Sequence, residues 1–296
     1  MFNNKISHWA IFVYSIAILS LLSFNTLGVG ALAVNEGKFL GKEPLNNQAN
    51  LGSTELVFLS KFETLESLGF SPDGMAYNPQ KAHLFISSAS ADVPNETGIF
   101  EVTLSGELVD HIPFGGTPVG HCCAGYSITR ASSGPKVGHY FLADLMGETT
   151  LVHEFDSNWN WINAFPVTAS NPNAHPGDGI AFNRISQNIV IAEEVYGELL
   201  DVTTNGQFVG SFPAVNVQGI TYNDSTGTYF GVHTSGWLRE ISTDGTILRE
   251  FDLKPFGIMQ PVGIASGQGK LFIADEIDFP NSGGYIYIFK SPHRVN

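Results

Sequence analysis

The sequence predicts an all-β propeller of four-stranded antiparallel blades, and three observations carry that expectation. A glycine-led strand pattern recurs five times along the chain. Glycine turns follow several of the strands at matching offsets. Charge is sparse and glycine abundant: Asp, Glu, Lys and Arg make up 14% of the 296 residues, and glycine contributes 32 of them. A usual charged share is about 25%, so this composition suits short strands and tight turns better than amphipathic helices.

The repeats open on "DGMAYNP" from Asp73, "AGYSITR" from Ala124, "DGIAFNR" from Asp178, "QGITYND" from Gln218 and "VGIASGQ" from Val262. Each sets a glycine before a short alternating strand. A second, more apolar strand follows: "HLFISSA", "HYFLADL", "NIVIAEE", "TYFGVHT" and "KLFIADE". These five are the expected buried strands. Third strands come next ("GIFEVTL", "TTLVHEF", "GELLDVT", "GWLREIS", "GYIYIFK"), and three of them run into Ser105-Gly106, Asn205-Gly206 and Asp244-Gly245. Such dipeptides supply the positive φ that a two-residue hairpin needs. Fourth strands close four of the units: "ELVDHIPF", "WINAFPV", "QFVGSFPA" and "TILREFDL".

The glycines Gly74, Gly125, Gly179, Gly219 and Gly263 are spaced by 51, 54, 40 and 44 residues, the period of propeller blades. The last unit lacks its own fourth strand. "TELVFLSKF", Thr54 to Phe62, precedes the first repeat and can supply it, so that the two ends of the chain close the ring and leave no edge at the seam. Five blades are expected, with six as the alternative. Residues 53–296 form the propeller, and 34–52, without strand pattern, read as a flexible leader.

Residues 1–33 read as a secretory signal: Ala10–Phe24 is an apolar run, and Ala31-Leu32-Ala33 has small residues at the spacing of a cleavage site. A retained membrane anchor is the alternative. The expected location is therefore secreted or periplasmic, with no membrane association after cleavage. Lys and Arg number 14 against 28 Asp and Glu, a net charge of −14 that would repel nucleic acid and anionic lipid. The expected partner is a small-molecule or protein ligand at the channel face of a monomer.

"PVGIASGQGKLFIADEIDFPNSGGYIYIF" resembles a blade of the NHL and gluconolactonase-like propellers, whose repeat runs Pro-x-Gly, a short strand, a turn and an apolar strand ending Ala-Asp. As a fold the likeness spans residues 53–290, and its wording is close in the third and fifth blades. The resemblance implies a calcium- or zinc-assisted lactonase or a binding platform. The chain departs from those lactonases in carrying Asp73-Gly74-Met75 where Glu-Gly-Pro is common, and in five blades rather than six.

In a propeller the connections into each first strand, and those between second and third strands, share one face. Ser88, Asp144, Glu193, His233 and Asp275 stand in register at the ends of the second strands. Asp73, Ala124, Asp178, Gln218 and Val262 stand before the glycines, with Glu194 and Glu276 as further neighbours. A metal set of Asp73, Asp144, Asp178, Glu193, His233 and Asp275 is one reading, because calcium takes six to eight oxygens and a lone imidazole tolerates zinc. The other is turn chemistry, in which each carboxylate bonds backbone amides of an adjoining turn.

"GHCCAG" holds the only two cysteines, Cys122 and Cys123, preceded by His121, on that same face. A bond between adjacent cysteines requires a distorted or cis peptide, because a trans peptide holds their Cα atoms about 3.80 Å apart. Two small buried residues, or a soft-metal site with His121, are the alternatives. Of the tryptophans in "DSNWNWINAF", Trp161 reads as packing between blades and Trp159 as open to stacking on a sugar. The chain lacks a Gly-x-Ser-x-Gly elbow, a His-Glu-x-x-His motif and a phosphate-binding Gly-x-x-x-x-Gly-Lys loop. Two functions stay open: a binding propeller, and a metal-dependent lactonase or esterase in which Glu193 or Asp178 is the base on water.

Overall fold

Apolar alternation and glycine turns build the expected blades. The computed structural model describes residues 55–64, 70–88, 97–114, 119, 126–146, 149–167, 179–193, 197–213, 217–276 and 284–292. Residues 1–54, on which the expected signal, the leader and the alternative anchor fall, lie outside them. In chain order the strands are β1 (Val57–Glu63); β2 (Met75–Asn78), β3 (His83–Ser88), β4 (Gly98–Thr103) and β5 (Leu108–Pro113); then β6 (Tyr126–Arg130), β7 (Tyr140–Met146), β8 (Thr149–Phe155) and β9 (Trp161–Val167). The third blade is β10 (Ile180–Asn183), β11 (Asn188–Glu193), β12 (Glu198–Val202) and β13 (Phe208–Pro213), and the fourth is β14 (Gly219–Asn223), β15 (Thr228–His233), β16 (Trp237–Ile241) and β17 (Ile247–Asp252). The last strands are β18 (Pro261–Gly267), β19 (Lys270–Glu276) and β20 (Gly284–Lys290).

These form five four-stranded antiparallel sheets. The fifth is ordered β1-β20-β19-β18, so the strand before the first repeat does complete the last blade. First strands of neighbouring blades meet in a closed cycle around the axis. Burial runs from axis to rim: β3 is buried along almost its whole length, whereas β5 is largely exposed. Five apolar clusters fill the five gaps between blades, with Phe70, Phe100, Phe272 and Ile288 at the seam. Among the described residues no helix is long and apolar enough to cross a membrane.

The repeat glycine has a steric cause. A Cβ on Gly219 would lie 2.5 Å from the carbonyl oxygen of Val262 in the next blade. On Gly179 and Gly263 it would overlap the carbonyls of Gln218 and Asp73 outright. Each glycine lets the next blade's backbone close onto its own, the close approach that only a missing side chain permits.

Blade two departs from the sequence alignment. Its ladder pairs Ser127 with Ala143 and Ile128 with Leu142, as Gly263 pairs with Ala274 and Ile264 with Ile273 in blade five. Ser127 therefore holds the glycine position, two residues beyond Gly125, and its hydroxyl accepts the Ile180 amide of the next blade at 3.2 Å. The tryptophans also exchange roles. Trp159 turns inward at φ 65°, stacks on Tyr140 at 4.2 Å and reaches Phe85 of blade one at 5.3 Å, while Trp161 is 42% exposed on the outer strand. The turn decides this, because Asp156 accepts the Asn158 and Asn160 amides and so coils the chain before β9.

Candidate ligand site on the propeller axis

The register positions at the ends of the second strands are filled as expected, but local partners divide them. Ser88, Asp144, Glu193 and Asp275 are all buried, and His233 is half-buried. Asp275 Oδ1 accepts the amides of Gln260 at 2.7 Å and Met259 at 3.0 Å. Asp144 Oδ2 lies 3.3 Å from Nε2 of the buried His153, whose Nδ1 faces the Trp161 indole nitrogen at 3.4 Å. His233 Nδ1 is 2.8 Å from the Ser235 hydroxyl and 3.1 Å from its amide. Glu193 stands across the ladder from Glu198, and the backbone carbonyl of Asp73 is the one that closes on Gly263. Among the described residues no three His, Cys, Asp or Glu side chains come together as a metal set. Asp178, His121, Cys122, Cys123 and Glu194 lie outside the described residues.

Asp275 shows what such a position costs. Burial pushes its carboxyl above the usual range, outweighing the Gln260 and Met259 amides and the Lys61 charge that pull it down. Its Oδ2 has no partner. A raised folded value means that the protonated form stabilises the fold below the ordinary carboxylate range, and that this contribution is lost as pH rises through the folded value. Asp275→Asn is therefore expected to match or exceed the wild-type melting temperature at pH 7, with the difference shrinking toward pH 4. Thermal melts across that range check it. A cation seated on Asp275 would reverse the sign, lowering the melt of Asp275→Asn and removing its calcium response.

At the glycine end, backbone closes on backbone at Gly179, Gly219 and Gly263. At the other end, where the first strands turn into the second, a cavity of about 210 Å³ opens on the axis. All five blades line it, through residues such as Tyr77, Arg130, Phe182, Thr221 and Ser266. The cavity thus lies at the mouth opposite the one that the carboxylate pattern pointed to.

Its turns are held by a repeated latch. Asn78 donates to the Tyr140 hydroxyl of blade two at 2.8 Å, Asn183 to Tyr229 of blade four at 2.6 Å, and Asn223 to Ser291 beyond β20 at 2.7 Å. Each asparagine also accepts turn amides through Oδ1, from Gln80, Ile185 and Ser225 among others. One side chain thereby shapes a turn and ties it to the next blade.

The cations near this end are sorted by acids that sequence reasoning passed over. Glu101, Glu154, Asp201 and Glu240 occupy one equivalent position on the third strands, opposite Phe85, Phe141, Val190 and Phe230. Glu101 takes Lys81 at 3.0 Å and His83 at 2.7 Å; Glu154 takes Lys136 and His139, both at 2.6 Å. Arg249 pairs with Glu240, and Arg184 stands 3.9 Å from Asp224 on the rim. Arg130 and Lys270, both in the cavity wall, have no carboxylate within 4 Å among the described residues. Arg130 interrupts the repeat. The ladders place it where the other blades carry Tyr77, Phe182, Tyr222 and Ser266.

Solved structures superpose on this chain at low identity. Glutaminyl cyclase of Myxococcus xanthus superposes with a TM-score of 0.54 at 12% identity, over 79% of this chain and 96% of that one. A gluconolactonase of Xanthomonas campestris gives 0.45 at 14% over 74% and 72%, and virginiamycin B lyase of Staphylococcus aureus 0.43 at 18% over 80% and 74%. The likeness is one of fold. No protein-family model and no curated protein matches the chain.

Proposed function

We propose that this chain is a binding propeller that takes a small polar ligand in the axial cavity at the turn end of its first strands. One observation carries the reading: a cavity lined by all five blades opens on the axis at the turn end of the first strands. Ligand sites prefer such concave, pre-formed places, and this one is below the usual range of about 300–1,000 Å³, so its ligand is small. The wall is rigid because the Asn78, Asn183 and Asn223 latches fix its turns, so little ordering opposes binding.

Amide NMR with a library of small polar compounds tests this. Shifts centred on Thr129, Arg130, Thr221, Ser266 and Lys270, and lost in the cavity-filling variant Thr221→Trp, are expected. Shifts confined to the ends of β7, β11 and β19 would contradict it. Turnover of small lactones or aryl esters with calcium or zinc, abolished by Glu193→Gln, would put the hydrolase reading in its place.

A further inference from the structure

We infer that the ligand of the axial cavity is a small, doubly charged anion, gripped by Arg130 and Lys270. The inference rests on the cavity being the ligand site. Four observations name the class. The chain carries 14 basic against 28 acidic residues, yet two of those bases face this cavity with no carboxylate within 4 Å among the described residues. An uncompensated pair of like charges is unexpected on so acidic a protein unless something of opposite sign visits it.

Lys270 also stands directly across the β19–β20 ladder from Lys290, which among the described residues has no carboxylate within 4 Å either. Like charges placed opposite one another in a ladder repel, and an anion between strand end and cavity removes that repulsion. The unmet polar atoms of the wall can all donate as well. Among the described residues, Arg130 Nε and the Tyr77 hydroxyl, both buried, lack a partner; the first can only donate and the second is able to. The guanidinium lies over the Tyr140 ring, 5.9 Å from its centre, so the partners that place it are neutral.

The fourth observation is positional. Arg130 is the only charged residue among the five equivalent first-strand positions, which otherwise carry Tyr77, Phe182, Tyr222 and Ser266. Packing between blades asks for an apolar or small side chain there. A planar, forked donor set suits carboxylate or phosphate oxygens, and an ammonium in the same cavity wall adds a second positive charge. One acid, Asp224, also lines the cavity; it is 43% exposed and stands 3.9 Å from Arg184, whose charge offsets its own, so the two bases keep the balance of the wall positive.

Thermal melts of the full chain in malonate, in inorganic phosphate, in neutral malonamide and in chloride of equal ionic strength test the assignment. Malonate or phosphate should raise the melting temperature saturably over chloride, by about 5 °C or more at a hundredfold excess over the dissociation constant. Arg130→Gln and Lys270→Met, each melting cooperatively without ligand, should weaken that response about tenfold. A response that survives in the double variant overturns the inference, as does none beyond chloride. A response to malonamide alone, lost in Thr221→Trp, overturns the anion while keeping the cavity. Anion responses that ignore Thr221→Trp overturn both.

Discussion

Gly263→Ala is expected to lower the melting temperature by about 6–12 °C, a loss of about 3 kcal/mol. The added methyl has no rotamer with which to escape. Its carbon would overlap the carbonyl oxygen of Asp73, and Gly74 Cα lies 3.3 Å away on the other side of the seam. Both obstacles are backbone, so relief requires blade one to move from blade five. That shift opens the cluster in which Phe272 and Ile286 pack against Met75 and Phe100. Gly210 offers the control, because a Cβ there meets nothing within 4 Å. Gly210→Ala should change the melt by less than about 1 kcal/mol. Calorimetry on both variants decides the matter, and equal melts would mean that the repeat glycine is not a ring-closure device.

Glu154→Ala is expected to cost about 3 kcal/mol, at the low end for breaking a buried ion pair because Lys136 keeps 30% of its side chain exposed. Glu154 is fully buried, and its removal strands Lys136 and His139 beside an apolar gap containing Phe141, Val152 and Ile189. Replacing the acid and its lysine by apolar residues of similar volume should be far milder. The protein already contains that solution, since the fifth blade carries Ile288 where the others have an acid. The double variant Lys136→Met, Glu154→Ile should therefore recover at least half of the loss in a denaturant melt. A double variant as unstable as Glu154→Ala would show that His139 depends on the carboxylate more than Lys136 does.

Most of the architecture was legible because its cause is local and periodic. Alternating apolar residues, glycine turns and a recurring strand pair were enough to place twenty strands in five blades and to assign Thr54–Phe62 to the seam. The failures lie where two signals competed. Gly125 looked like the second repeat glycine, yet ladder pairing puts Ser127 there, and a hydroxyl can replace the missing side chain by bonding the next blade's amide. That two-residue offset hid Arg130. Aligned on Gly125 it falls into the turn; aligned on the ladder it stands as the lone charge among Tyr77, Phe182, Tyr222 and Ser266.

The carboxylate ring illustrates a different limit. Register placed Asp144, Glu193 and Asp275 at equivalent strand ends, and the structure agrees. Equivalence in a blade is not proximity across blades, because second strands stand one strand spacing, about 4.8 Å, further from the axis than first strands. Asp275 turned to the Gln260 and Met259 amides and Asp144 to His153. Glu101 and Glu154 escaped notice for the opposite reason. A single acid between apolar neighbours, in "GIFEVTL" and "LVHEF", reads as a solvated edge until the lysine and histidine from the preceding turn are seen to cover it.

Anomalous scattering from selenate-soaked crystals tests the central claim most directly, since selenate is a small dianion that marks its own position. The account predicts a selenium peak on the axis, between Arg130 and Lys270, that disappears in Arg130→Gln crystals. A cavity without selenium, with peaks only at the glycine end or at the ends of β7, β11 and β19, would contradict it.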